Sequence, residues 1–334
     1  MRSTMDTALA RPRALIRSDA VQRLLAFGAL LVLIVVFSLL SSNFLTFDNA
    51  IGILLATSVN GILALGVTFV IITGGIDLSI GTVMTLAAVI TGVVITNMGL
   101  PIPVGIAAGM LTGALTGLAN GILIARFRIP SFIVTLGMLN IAKGLALVIS
   151  GLTPIYFNDA PGFNEGAMGS LIGSVLPGFD IPNVVLVMFG AALIASFVLS
   201  RTILGRYTFA LGSNEEAARL SGVNVVTWKA SVYVVCGLFA GLAGVVIAAR
   251  LNSAQPGLGQ GYELDAIAAA VIGGTSLSGG EGSILGTVIG AFIISTLTNG
   301  LRILSVPQEW QTVVTGGIVI LAVYLDIVRR RRQT

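Results

Sequence analysis

A polar segment, residues 201–229, interrupts the chain between two long apolar stretches. Its charged side chains are Arg201, Arg206, Glu215, Glu216, Arg219 and Lys229. The middle of the segment predicts a short helix that begins after Ser213 or Asn214 as N-cap and ends at Gly222. A folded, charged helix between membrane segments is typical of a surface offered to a soluble partner. A solvated helix without a partner has the same charge pattern, and both interpretations stay open.

The titratable residues exclude several kinds of catalysis. The chain has no histidine, and Cys236 is its single cysteine. Histidine-based acid–base chemistry, histidine metal sites and intrachain disulfides are therefore excluded. A phosphate-binding loop needs Gly-Lys-Ser or Gly-Lys-Thr, whereas Lys143 precedes glycine and Lys229 precedes alanine. The chain cannot hydrolyse ATP by that route.

Two glycine-rich segments predict breaks in membrane helices. Residues 73–83 and 273–288 share Gly-Gly-x-x-Leu-Ser followed by Gly-Thr-Val, which suggests an internal duplication. Paired glycines end a helix, and Asp77 or Ser278 can cap the next one. Non-helical backbone at membrane depth lies against protein or water, and transporters place such breaks along their pathway. The pathway or gate candidates here are Gly74, Gly75, Asp77 and Ser79.

Asp77 has two interpretations from its position alone. A carboxylate after paired glycines is suited to capping or structural pairing, which is the stronger interpretation. An acid within a membrane segment is also a candidate for a direct pathway or gate role.

The remaining sequence is suited to lipid. Hydrophobic residues make up 55% of the chain, charged residues 10%, and the mean hydropathy is +1.01. Segments of about 20 apolar residues predict an all-α polytopic membrane protein with about ten transmembrane helices and broken or re-entrant glycine-rich segments. The predicted crossings are residues 23–40, 50–72, 80–96, 102–124, 131–150, 183–199, 230–249, 264–274, 284–301 and 311–328. The eighth is too short to span alone and is expected to need the glycine-rich turn after it, so eight or nine crossings stay possible.

Basic residues predict the orientation. With a cytoplasmic N-terminus, 15 of the 18 lysines and arginines fall on the cytoplasmic side, and both termini are then cytoplasmic. The predicted organisation is a cytoplasmic tail at 1–22, a single transmembrane domain at 23–328 with the polar loop 201–229, and a cytoplasmic tail at 329–334. The net charge of +4 reflects topology, because the basic residues lack the interleaved aromatics of a nucleic-acid surface.

Glycines at helical spacing predict close packing between membrane helices. Such ridges occur in the fourth and seventh predicted crossings, where they let neighbouring backbones approach in lipid. The ridge residues are Gly105, Gly109, Gly113, Gly117 and Gly121, then Gly237, Gly241 and Gly244.

Four blocks of sequence resemble the permease subunits of sugar ATP-binding-cassette importers, most closely the ribose-type permease. The blocks are Thr-Gly-Gly-Ile-Asp-Leu-Ser at 73–79, Gly-Arg-Tyr-x-x-Ala-Leu-Gly-x-Asn-Glu-x-Ala-x-Arg-Leu-Ser-Gly-Val-Asn-Val at 205–225, Ala-Arg-Leu-x-Ser-Ala-Gln-Pro at 249–256 and Gly-Tyr-Glu-Leu-Asp-Ala-Ile-Ala-Ala at 261–269. The likeness extends over nearly the whole chain from about residue 23.

The resemblance implies a multi-pass subunit of the bacterial inner membrane that moves a monosaccharide, ribose or a related sugar, inward. The implied partners are a second copy of the chain, an ATPase with two nucleotide-binding modules, a periplasmic sugar-binding protein and membrane lipids. The chain itself is expected to be no enzyme and to hold no cofactor and no metal, because MgATP belongs to the ATPase. By the same likeness, the coupling helix that enters a cleft of the ATPase corresponds to Gly212, Ser213, Asn214, Glu215, Glu216, Ala217, Ala218, Arg219, Leu220, Ser221 and Gly222.

The segment 252–265 supplies further pathway candidates. Its acids, amides and phenol can bond sugar hydroxyls, or its acids can cap a helix that starts at Leu264, and the capping interpretation is the stronger. The proline-containing loop 151–181 predicts rigid turns and a docking surface for an external partner. The candidates are Gln255, Tyr262, Glu263 and Asp265.

Two other function classes stay as alternatives. An ion-coupled secondary carrier of a small polar solute needs ionisable residues along its spans, and only Asp77, Lys143 and Asp265 qualify. A membrane-embedded enzyme needs a Ser/Lys or paired-acid site, and no such pair has convincing spacing.

Overall fold

The computed structural model describes residues 11–331, with side chains described for 24–321, 323 and 324. The predicted tails at 1–22 and 329–334 lie outside these residues except for helical backbone at 11–22 and 329–331. The orientation predicted from their arginines therefore stays a prediction.

Helices make up about three quarters of the described chain. Their bounds are α1 Arg11–Leu40, α2 Phe47–Ile72, α3 Ile80–Gly92 with a π-helical turn at Val93–Asn97, α4 Ile102–Ala125, α5 Ser131–Ile149, α6 Pro161–Met168, α7 Leu171–Val175, α8 Asn183–Arg201, α9 Ile203–Ser213, α10 Glu215–Leu220, α11 Val225–Leu251, α12 Tyr262–Ile272, α13 Ile284–Ile303 and α14 Gln308–Arg331. Two short strands, β1 Ile155–Tyr156 and β2 Ser253–Ala254, pair antiparallel.

Seven helices within the described residues are long and apolar enough to cross a membrane: α2, α3 with its π-helical turn, α4, α5, α8, α11 and α13. The apolar part of α1, Leu24–Leu40, is shorter, and α12 has 11 residues. The all-α polytopic class is therefore confirmed, and the predicted count of ten is approximate.

The helices divide into a buried centre and an exposed periphery. Within their most apolar windows, α2 and α11 are 83% and 78% buried, whereas α4 and α5 are each 22% buried. Burial inside protein explains why α2 and α11 carry polar groups such as Thr68, whose hydroxyl lies 2.8 Å from that of Thr287 on α13. Two hydroxyls at this depth satisfy each other instead of facing hydrocarbon.

The predicted close packing is present at the contact between α4 and α11, which is formed by Gly113, Gly117, Gly121, Gly237 and Gly241. Gly105 and Gly244 of the predicted ridges face α3 and its π-helical turn instead. A Cβ atom on Gly113 would lie 2.7 Å from the nitrogen of Gly241 and would collide with the carbonyl of Gly237. A Cβ on Gly117 would collide with the carbonyl of Tyr233. The two backbones therefore touch directly, and this contact lets α11 lie at the centre of the bundle.

The loop 151–181 is ordered by short elements, in agreement with the rigid turns predicted there. Strand β1 pairs with β2 through Ile155 and Ala254, and helices α6 and α7 follow. The side chain of Asn164 on α6 donates to the carbonyl of Ala249 at 2.7 Å. The loop is therefore tied to the end of α11.

We expect Gly113→Val to lower the free energy of unfolding in detergent by about 2 kcal/mol, because the added atoms force α4 away from α11. Gly190→Val on α8 is the matched control, since no atom lies within 4 Å of a Cβ at that position. Equal unfolding midpoints for the two variants would contradict the direct backbone contact.

Candidate functional site

The first helix break joins α2 to α3 and is closed by Asp77. Its Oδ1 accepts hydrogen bonds from the backbone nitrogen of Ser79 at 2.9 Å and from the Ser79 hydroxyl at 2.6 Å. The Asn120 amide on α4 donates to the same hydroxyl at 3.0 Å. Asp77 and Ser79 are both buried. The carboxylate thus stabilises the turn that leads into α3.

The predicted capping residues need correction in both breaks. Ser79, and not Asp77, is the N-cap of α3, and its side chain makes no capping hydrogen bond. In the second break, Ser283 caps α13 by accepting from the nitrogen of Gly286 at 3.3 Å. Ser278 lies five residues too early, because the extra residues of this turn continue to Ser283 before the helix begins.

Gly75 is held in the first break without room for a side chain. A Cβ atom there would lie 2.6 Å from the Tyr233 hydroxyl and 3.1 Å from Val70. The preceding Gly74 has φ of 74°, a backbone region that favours glycine. These two glycines therefore turn the chain against α11.

Three glycine segments meet at one end of the bundle, which we term the glycine junction: Gly74, Gly212 and 279–280. The backbone nitrogen of Gly280 donates to the carbonyl of Ile72 at 2.8 Å. A Cβ on Gly279 would lie 2.9 Å from both the Gly212 oxygen and the Gly74 nitrogen. Since Gly212 lies in the last turn of α9, just before α10, the junction connects the short charged helix to both glycine-rich breaks.

Helix α10 forms where the polar segment predicts it. Asn214 is the N-cap and accepts from the nitrogen of Ala217 at 2.9 Å, and Gly222 follows the helix with φ of 86°. Glu216 pairs with Arg219 at 2.5 Å and raises the pKa of that guanidinium. In the middle of α10, Ala217 is exposed and Ala218 is buried.

The second acid of α10 has a partner on another element. Glu215 pairs with Lys229 of α11 at 2.6 Å and not with Arg219. The sequence places Arg219 one turn from both acids, so only the tertiary structure separates the two pairs. The Glu215–Lys229 contact fastens α10 to the start of α11.

A cavity of about 740 Å³ lies between α10 and the first break. Its lining combines the break glycines, the loop between α4 and α5, and the charged residues of α10 and α11. Among the lining residues are Gly74, Gly75, Arg126, Arg128, Glu215, Glu216, Arg219, Lys229 and Tyr233. The structure thus brings three predicted coupling residues, Glu215, Glu216 and Arg219, and two predicted pathway residues, Gly74 and Gly75, to one cavity.

The segment between β2 and α12 packs along α3. The expectation that the turn after α12 completes the eighth crossing stays a prediction. Ala254 approaches α3 at Gly92, and Gly259 approaches the same helix at Gly81. These helix positions are separated by about 16 Å at 1.5 Å per residue. Residues 254–260, which we term the extended segment, therefore follow α3 over roughly half the thickness of a bilayer core. One turn bends them, where the Leu258 nitrogen donates to the carbonyl of Gln255 at 3.2 Å.

The start of α12 lies beside the start of α3. The Glu263 carboxylate accepts from the nitrogen of the N-cap residue Gly261 with both oxygens at 3.1 Å. This bond agrees with the predicted placement of the acid at the helix start, and its role in a pathway stays a prediction. The helix begins at Tyr262, two residues before the predicted Leu264. A Cβ on Gly81 would lie 2.6 Å from Glu263 Oε2.

The candidates of segment 252–265 do not share the cavity of α10. Glu263 is buried, Tyr262 and Asp265 are half-buried, and Gln255 is exposed. Sequence reasoning missed Gly81 and Asn120, which contact this region and the first break. Asn120 lies within the glycine ridge of α4. A polar residue in such a ridge is a sequence signal that could have identified it as a contact of the first break.

The family model that matches the chain is described as branched-chain amino acid transport system / permease component and covers residues 49–323. The chain is 46% identical to the ribose import permease protein RbsC of Escherichia coli (strain K12), over 89% of this chain and 91% of the relative. The identity is 42% to the protein of the same name from Bacillus subtilis (strain 168), over 91% and 92%. It is 37% to the L-arabinose ABC transporter permease protein AraH of Azospirillum brasilense, over 98% and 94%. No solved structure matches the chain significantly.

We expect Asp77→Asn to retain the fold and sustain normal solute uptake, because an amide oxygen can accept both hydrogen bonds from Ser79. Asp77→Leu leaves the buried Ser79 donors without an acceptor and should cost about 2 kcal/mol of stability. Thermal unfolding in detergent and uptake into vesicles measure the two effects. A folded Asp77→Asn chain that transports nothing would instead assign the charge a pathway role.

Proposed function

The chain belongs to the family described as branched-chain amino acid transport system / permease component, and on that premise we propose that it is the membrane subunit of a monosaccharide importer driven by ATP. The substrate class is supported by relatives whose names specify import of ribose and transport of L-arabinose. Ribose or a related sugar is the proposed cargo. The ion-coupled carrier is not favoured, because Asp77 is occupied in closing a turn.

We propose that ATP is hydrolysed by a separate ATPase with two nucleotide-binding modules, which holds the MgATP. The sequence has no Gly-Lys-Ser or Gly-Lys-Thr, and no group of three or more histidine, cysteine or acidic residues within its described part could hold a metal ion. A periplasmic sugar-binding protein and a second copy of the chain complete the proposed complex. Its proposed site is the bacterial inner membrane, with lipid around the subunit and both termini cytoplasmic.

The observation that carries this proposal is the connection of α10 to the helix breaks through the glycine junction. Helix α10 presents Leu220, which is 80% exposed, on the outer face of the polar segment. Gly212 lies two residues before the N-cap of α10 and packs on the carbonyl of Ile72. A partner that moves α10 thereby also moves the ends of both breaks, because direct backbone contacts at the glycine junction connect α10 to them.

The coupling role assigned to 212–222 rests on this geometry. The Glu216–Arg219 pair is exposed, and the Glu215–Lys229 pair joins two elements of this chain, so neither pair contributes much to affinity for a partner. Apolar contact by Ala217 and Leu220 in a cleft of the ATPase supplies this affinity instead. Burial of one leucine side chain contributes about 1.5–3 kcal/mol to the binding free energy.

We expect Leu220→Asp and Ala217→Arg to weaken ATPase retention about tenfold or more, while membrane insertion and dimer formation are unchanged. Glu216→Lys removes an exposed ion pair and should have a milder effect. Co-purification of the ATPase and its stimulation by the membrane subunit are the measurements. Normal retention and stimulation in the Ala217→Arg complex would assign α10 to a solvated surface without a partner.

We also expect the purified chain alone to release no phosphate from MgATP. The missing phosphate-binding loop motivates this expectation. Phosphate release is measured before and after addition of the ATPase, with the ATPase alone as control. Hydrolysis by a preparation free of other subunits would contradict the assignment of ATP to a partner.

A further inference from the structure

An exposed polar strip crosses the otherwise apolar surface of α5 and the extended segment before α12. The ammonium of Lys143 donates to Gln260 Oε1 at 3.1 Å. Asn140 lies one turn before Lys143 on α5 and is exposed, as are Gln255 and Gln260 on the extended segment. We term Asn140, Lys143, Gln255 and Gln260 the polar strip.

The polar strip lies well within the thickness of the membrane. Lys143 follows the first residue of α5, Ser131, by about 18 Å of helix rise. Gln260 Oε1 lies within hydrogen-bond distance of the Lys143 ammonium, so it shares the depth of that side chain. Both partners of the hydrogen bond are therefore at a depth where a single helix would normally face hydrocarbon.

Exposed backbone next to these side chains excludes lipid as their environment. Residues 255–261 are not helical, and Gln255, Gly257 and Gln260 are exposed. Lipid-exposed irregular backbone does not occur in the hydrocarbon region, because its polar groups would have no partner. Water or protein must therefore cover the strip, and its charged and amide groups favour water.

The surface also has room for a solute. No atom lies within 4 Å of a Cβ built on Gly137, Gly144 or Gly257, which flank the strip on α5 and on the extended segment. These glycines leave a shallow, open surface beside Asn140 and Gln260. The predicted coupling residues lie elsewhere, around the cavity of α10.

The chemistry of the strip suits a neutral polyhydroxyl compound. Carboxamides offer both donors and acceptors, and an ammonium has three donors. Among the described residues, the Lys143 ammonium makes one hydrogen bond, which goes to Gln260. Two of the three N–H donors of this ammonium therefore stay available. A sugar hydroxyl both donates and accepts, and it exchanges hydrogen bonds with water and with such groups at small net cost.

We propose that the polar strip is a wet contact site for the monosaccharide during its passage through the membrane. This inference rests on the proposed function and deepens it, since it assigns Asn140, Lys143 and Gln260 to the sugar path. The strip binds the solute only weakly and transiently. A hydroxylated solute can therefore move on from the extended segment toward the first break.

Water access is tested by cysteine labelling of the full complex in membrane vesicles. We expect Gln260→Cys and Asn140→Cys to react with a charged, membrane-impermeant methanethiosulfonate about tenfold faster than Leu145→Cys, since a hydrated thiol ionises more readily. Leu145 is the matched control on the same helix and is exposed among apolar side chains. The wild-type chain gives the background, because Cys236 is buried.

Sugar contact is tested by transport with the same complex. The double variant Asn140→Leu/Lys143→Met should lower ATP-driven uptake of D-ribose and L-arabinose about tenfold while it retains the ATPase, because it removes about two hydrogen bonds. Ile141→Leu is the control for a change on the apolar face of α5. Uptake at the wild-type level by the double variant would overturn the proposal.

The labelling result is independent of transport. Slow reaction of Gln260→Cys, equal to that of Leu145→Cys, means that a second copy or another part of the complex covers the strip, and this outcome also overturns the proposal. If the wild-type complex imports neither sugar with ATP, the proposed function fails. The labelling contrast then still decides whether the strip is wet.

Discussion

Hydrogen bonding of backbone inside the bilayer is the constraint on which the arrangement of this protein depends. A chain that leaves the helix at membrane depth must find other partners for its polar groups. In the first break, the Asp77 carboxylate accepts a hydrogen bond from the backbone nitrogen of Ser79. In the second break, the backbone nitrogen of Gly280 donates to the carbonyl of Ile72. The extended segment uses Thr85 of α3, whose hydroxyl donates to the carbonyl of Leu258 at 2.5 Å. The first break also receives a hydrogen bond from another element, since the Asn120 amide of α4 donates to the Ser79 hydroxyl. All three departures from helix therefore depend on contacts with neighbouring elements.

Glycine makes this interdependence possible because it removes the atoms that hold backbones apart. Along α4 and α11 it produces a continuous contact, and at Gly273 and Gly286 it does the same between α12 and α13. At the glycine junction it joins segments that are far apart in sequence, with Gly212 between the ends of both breaks. A rigid path of backbone contacts therefore connects the polar surface at α10 to the middle of the bundle.

The candidate site was partly predictable from short patterns. The N-cap at Asn214, the stop at Gly222 and the acid at the start of α12 follow from local chemistry, and the structure has all three. The partner of Glu215 was not predictable, because Lys229 is 14 residues away and belongs to another helix. The role of Gln260 was hidden for the same reason, since Lys143 lies 117 residues away.

The sequence by itself determined the membrane class, the approximate positions of the spans, the breaks and the charged helix between them. These features depend on hydropathy, glycine and capping residues within one or two helical turns, so each can be inferred from a short window. Only the tertiary structure decided that the extended segment before α12 packs along α3 and that Gly74, Gly212 and Gly280 meet. Such contacts depend on which backbones can approach in three dimensions, and no local pattern specifies the partner of a glycine.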